Sequence, residues 1–189
     1  MDDARRAVLR RQFDLSWSLF AYHLERLAPG DLLWEPARHC WTVRPGADGA
    51  WVPEFAETEP EPVPVPVPTM AWLSWHVAWW WGVTLDHTRG RPARDRTDIA
   101  FPGGAPGTAT GSEGAVEAAA VAQLRGLREE WLAALEGLTD AEWEAVAPFP
   151  WDNDPAHTVT DMVAWVNAEL MKNAAEFGQL RLLRAAASA

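Results

Sequence analysis

The chain has 189 residues and a formal charge of −11, from 27 acidic against 16 basic side chains, so no nucleic acid partner is expected: nothing basic is large enough to cover a row of phosphates. A single cysteine, Cys40, excludes an intramolecular disulfide framework and any Cys-rich zinc pattern, and the want of an apolar leader points to a cytoplasmic protein. No stretch reaches the roughly 18 uninterrupted apolar residues of a membrane span, so no membrane is expected either, and the length suits one domain over residues 1–189 with its own core.

From about Asp3 to Leu27 the residues Leu9, Phe13, Trp17, Phe20, Leu24 and Leu27 recur every three or four positions, which predicts an amphipathic helix ending at APGD. DLLWEP then predicts a short helix near 31–34. Residues 44–68, RPGADGAWVPEFAETEPEPVPVPVP, alternate proline with glutamate or valine. Proline removes backbone donors and favours polyproline geometry, so the segment is expected to be a Pro-rich linker over the surface and not a packed element. Thr69 is the expected N-cap of a second helix over 70–88, whose MAWLSWHVAWWWGV should be buried.

Residues 90–111, with FPGGAPGTATG, read as a Gly/Pro-rich loop long enough to cross the fold or cover a site. Ser112 is the expected cap of a third helix over about 113–137, with Val116, Leu124, Leu127, Trp131, Leu132 and Leu135 as its apolar stripe. TDAE at 139–142 is a capping box that opens a short helix to about Ala145, and Thr158 with Asp161 is another that opens the last helix over 159–185. The pattern predicts an all-α, four-helix bundle with a long crossover between helices 2 and 3 and two short accessory helices. LERLAPGDLLWEP faintly repeats as LEGLTDAEWEAVAP, and AWLSWH as AWVNAE, which suggests two pseudo-symmetric hairpins with His76 matching Glu169.

Two faces carry candidate chemistry. On a helical wheel His76 falls between Trp72, Leu73, Trp79, Trp80 and Val83, on the most apolar face of the second helix. It is either a core histidine with one hydrogen bond or a ligand or acid/base group, since imidazole titrates near neutrality. On the last helix Glu169, Lys172, Asn173 and Glu176 share one arc with Met162, Trp165, Val166, Leu180 and Leu183 above and below. Fifteen of the 16 basic residues are arginine, and Lys172 is the only lysine. If this patch faces the core, its charges must satisfy one another or a bound molecule; if it faces water, Lys172 and Glu176 form an ordinary surface pair. His23, His39, His87 and His157 sit beside a stripe, at helix ends or in loops, and Cys40 has no activating neighbour in sequence.

TMAWLSWHVAWW, followed after a third helix by ELMKNAAEFGQLRLLR, resembles the DinB/YfiT-like superfamily, which includes mycothiol- and bacillithiol-dependent enzymes. The likeness covers nearly the whole chain: the early LxxLxPxDLxWxP turn, the helix-2 histidine and the GQL-type end of the last helix. It implies a four-helix bundle and a thiol-dependent transferase or related small-molecule enzyme. Its metal-binding members place ligands at positions that here hold His76, Lys172 and Glu176. Lys172 is no ordinary ligand, because its ammonium must first lose a proton, near pH 10 in water.

The resemblance therefore implies a degenerate site. In the preferred reading no metal is bound, Lys172 stands in for the cation, Glu176 and Glu169 pair with it, and His76 and Glu176 carry any catalysis. Asn173, Trp72, Trp79 and Trp80 then complete the binding face. In the other, a divalent metal is held through His76 and Glu176. A low-molecular-weight thiol is the implied cofactor and a small molecule the implied partner. The alternative to an enzyme is a non-catalytic bundle that binds a small molecule among its tryptophans or forms a homodimer.

Overall fold

The computed structural model describes residues 3–54, 62–105 and 107–187. Four long helices, α1 (Asp3–Leu24), α2 (Met70–Thr88), α3 (Glu113–Glu136) and α5 (Val159–Ala187), form a bundle, with the short α4 (Asp140–Trp143) after α3. Contacts fix their directions. Asn167 reaches Leu9 and Gln12 while Arg181 reaches His23, so α1 and α5 run parallel. Arg125 lies by Glu25 and Arg10 by Glu136, so α3 runs antiparallel to α1.

α2 is the axis of the core. Fourteen of its 19 residues are buried, so it has no solvent stripe and must be covered on every side. Trp75 and Trp81 of α2 and Trp131 of α3 are fully buried; each removes roughly 200 Å² from water, on the order of 5 kcal/mol of transfer free energy. Phe13, Trp17 and Phe20 of α1 continue this cluster through edge and tilted contacts with Trp81 and with one another.

The demand to cover α2 explains the departures from the sequence expectation. The 44–68 segment packs in part: β2 (Val43–Pro45) and β3 (Trp51–Pro53) form an antiparallel hairpin, and β1 (Cys40–Trp41) pairs in parallel with β4 (Val67–Pro68), while residues 62–66 lie in no strand and Val63 is 95 % exposed, as a surface linker requires. Residues 55–61 of it lie outside the described range. Pro45, Pro53 and Pro68 sit in two-stranded ribbons, where the free edge of each strand needs no donor, and Val43 and Trp51 are buried. Trp51 Nε1 donates to the Gly104 carbonyl, and Trp75 Nε1 to that of Ile99, so hairpin and crossover loop close over α2 together.

The expected helix near 31–34 is a hydrogen-bonded turn instead. Buried Glu117 of α3 accepts from the backbone of Gly30 and Leu32, and the Leu32 carbonyl accepts from Ala71. These tertiary partners replace the bonds a helical turn would make to itself. α1 stops at Leu24, short of Leu27, where Arg26 N turns to the His23 carbonyl. Ser112 occupies the N-cap position of α3, yet its hydroxyl donates back to Ala109 and makes no cap bond. The other caps form as expected, at Thr69, at Thr139 with Glu142 and at Thr158 with Asp161. The crossover after α2 is tied at its start, where buried Asp86 takes a fork from Arg94 at 2.6 and 2.7 Å and a third bond from Arg91.

Candidate functional site

The middle of α2 presents an aromatic shelf. The His76 imidazole stacks on Trp72 at 4.9 Å with 10° between planes, and Trp79 leans on it at 5.7 Å. Helical spacing brings the three rings together, at i, i+4 and i+7. Trp41, in β1, stacks on the other side of Trp72 at 5.1 Å, and the Glu54 carbonyl accepts from Trp72 Nε1. Beyond Trp79, which stacks on Trp75, Arg96 of the crossover places its guanidinium 5.6 Å from the Trp79 ring. The shelf is thus built from α2, the first strand and the loop, and its outer members are half-buried.

His76 is half-buried, and not sunk in the centre of the core as its wheel position suggested. The tryptophan walls strip water from it and Lys172 adds a like charge, which together bring its pKa down to about 4. The ring is neutral at physiological pH. It can accept a hydrogen bond or a proton but carries none to give away as an imidazolium.

α5 supplies the polar side. Lys172 Nζ meets Glu169 Oε2 at 2.6 Å, with side chains 52 % and 24 % exposed. Asn173 is buried; it accepts from Trp80 Nε1 at 3.2 Å and donates to Glu176 Oε2 at 3.0 Å. The expected Lys172–Glu176 partnership is therefore split, with the lysine held by Glu169 and Glu176 held by Asn173. The patch straddles the edge of the core, Asn173 inside and Lys172 and Glu176 on the outer side.

This donor set does not fit a divalent ion. Among the described residues no three His, Cys, Asp or Glu side chains are arranged to hold a metal. At Lys172, the second of the three positions the resemblance points to, an ammonium is already engaged with a carboxylate. A compact positive charge beside a neutral imidazole is the chemistry that is present.

The remaining histidines have local roles. His23 accepts at Nδ1 from Arg181 Nε at 3.2 Å, and burial, then Arg181 and Arg26, lower its pKa. A methyl group on Gly178 would strike the His23 ring, with Cδ2 and Cε1 both 2.8 Å from it, so this glycine, which lies within α5 and not at its end, admits α1. His87 stacks on Phe149 and His157 on Trp151. His39 is exposed. The Cys40 thiol donates to Ala37, and burial pushes its pKa up, away from a reactive thiolate. Trp41, Glu54 and Arg96 were the residues missed. Trp41 stood just before a segment read as unpacked, and no periodicity links a loop arginine to a helix tryptophan.

A family model of the DinB superfamily matches residues 12–177, from the third turn of α1 to just before Gly178 in α5. No curated protein and no solved structure gives a match.

Proposed function

The chain belongs to the DinB superfamily, and from that premise we propose that the α2–α5 face binds a small thiol without a metal, with the Lys172 ammonium where metal-binding relatives hold a cation. The observation that supports this is the neutral His76 ring stacked on Trp72, its pKa lowered first by burial and then by the Lys172 charge. A thiol S–H donates to the free imidazole nitrogen. Lys172 attracts the sulfur's developing negative charge or a carboxylate on the same molecule, and Trp72 and Trp79 wall its apolar part.

In a transferase the proton moves from sulfur to His76 as the thiolate forms a bond to an electrophilic carbon of a second substrate. The leaving group departs with its electron pair, and His76 returns the proton to solvent. The pKa of His76 weighs against this as an unaided step. A thiol near 8.5 and an imidazole near 4 leave full transfer uphill by roughly 6 kcal/mol. Stabilisation of the thiolate by Lys172 must make up much of that difference. The same mismatch favours the second reading, a non-catalytic thiol-binding bundle, since a hydrogen bond needs no matched pKa.

Calorimetric titration with N-acetylcysteine and its S-methyl ether tests the binding. The thiol should bind and the ether should bind at least fivefold more weakly, because it has no proton for His76. Equal binding, or none by either, contradicts the reading. Turnover of N-acetylcysteine with an activated aryl halide then separates catalyst from binder, the catalyst losing rate in Lys172→Met.

A further inference from the structure

A second cleft, to which α2 contributes no side chain, opens between the first half of α1, the end of α3 and α4, with a volume of about 300 Å³. Its apolar walls include Leu9, Leu132, Leu135 and Val163, and its polar lining includes Arg6 and Trp143. Two donors there have no partner. Arg6 Nε and Trp143 Nε1 are both buried and unbonded, and Trp143 is only 4 % exposed.

The Arg6 guanidinium lies 5.6 Å from the centre of the Trp143 ring, so the two side chains that carry these donors sit side by side in the cleft lining. The outer part of the guanidinium is committed, its Nη2 bound to Asp140. Glu136, which also lines the cleft, does not cancel this arrangement: its side chain is 76 % exposed and lies 3.9 Å from Arg10. Buried donors without acceptors are destabilising, and an oxygen placed against both relieves them. A carboxylate does so with two acceptor oxygens, one for each donor, while a hydroxyl brings one oxygen and an ammonium none.

We propose that this cleft binds a medium-chain carboxylic acid. The carboxylate accepts from Arg6 Nε and Trp143 Nε1, and the chain lies along Leu9, Leu132, Leu135 and Val163. A cavity of about 150 Å³ takes one benzene; a cleft twice that size suits an acid of roughly eight carbons.

Calorimetric titration of the full chain with octanoate, 1-octanol and octylamine decides. Octanoate should bind one to one and at least tenfold more tightly than either of the others. Trp143→Phe, which keeps the ring and deletes only the N–H, should weaken it about tenfold, and Leu135→Trp, which fills the wall, should abolish it. Absence of saturable octanoate binding to the wild-type chain overturns the proposal whatever the variants do. So does octanol binding as tightly as octanoate, or undiminished affinity in Trp143→Phe.

Discussion

At the scale of single residues the account rests on His76 being neutral. A histidine whose pKa is lowered from 6.5 to about 4 binds its proton in the unfolded chain before the folded one. Its contribution to stability is whole above pH 6.5, and falls as pH drops from 6.5 to 4. The loss amounts to about 3 kcal/mol at most. His23, also lowered, acts in the same direction. Urea denaturation at a series of pH values should show stability falling over this window, and His76→Phe should flatten most of the slope; an unchanged slope means that His76 is not desolvated as described. Gly178→Ala should cost about 1–3 kcal/mol, because the new methyl meets the His23 ring between two packed helices. Adding His23→Ala should recover part of the loss. The wheel put Glu169, Lys172, Asn173 and Glu176 on one arc of α5 and His76 on the apolar face of α2, since spacing along one helix is in the sequence, but it did not show that Lys172 and Glu176 would lie exposed at the edge of that arc. Which of Glu169 and Glu176 holds Lys172 was not legible, because both lie within reach, and Asn173, bonded to Trp80 of another helix, takes one of them.

At the scale of elements, the helices were legible from the spacing of apolar residues along α1, α3 and α5 and from local caps at Thr69, Thr139 and Thr158. The boundaries of α2, and the capping boxes at Thr139 and Thr158, need only residues a few positions apart. The segments between them were not legible. The 31–34 turn and the hairpin at Val43–Pro53 take their shape from Glu117 and from α2, both distant in sequence. The crossover is a further case, held where Arg94 and Arg91 meet Asp86. Hydrogen bonds from Arg94 keep the Asp86 carboxyl below the usual carboxylate range. Asp86→Asn should therefore cost about 3 kcal/mol, since it leaves a partly buried guanidinium without its charge partner. Hydrogen exchange should accelerate across residues 90–105 in that variant and change little in α1. Uniform acceleration would mean that Asp86 supports the bundle and not the loop.

At the scale of the whole molecule, the bundle is that of the DinB superfamily and no described helix is long and apolar enough to cross a membrane. The shelf needs that fold: α2 brings His76 and its tryptophans, α5 brings Lys172, and the covering segments bring Trp41 and Arg96. On the proposed reading Lys172 supplies a tethered charge where a metal-binding relative holds an ion, and the substitution should then be reversible in part. Lys172→His should gain zinc affinity measurable by competition with a chromogenic chelator, because it restores an imidazole where the ammonium stands; a variant with no more affinity than the wild type would mean that the backbone geometry no longer supports the centre.

The most direct measurement of the central claim is the thermal unfolding midpoint of EDTA-treated protein with and without N-acetylcysteine, for the wild type, His76→Gln and Lys172→Met. The account predicts that the thiol raises the wild-type midpoint by a few degrees in the presence of EDTA, and that either substitution removes most of that rise. A rise that appears only when a divalent ion is added back, or that survives both substitutions, would contradict it.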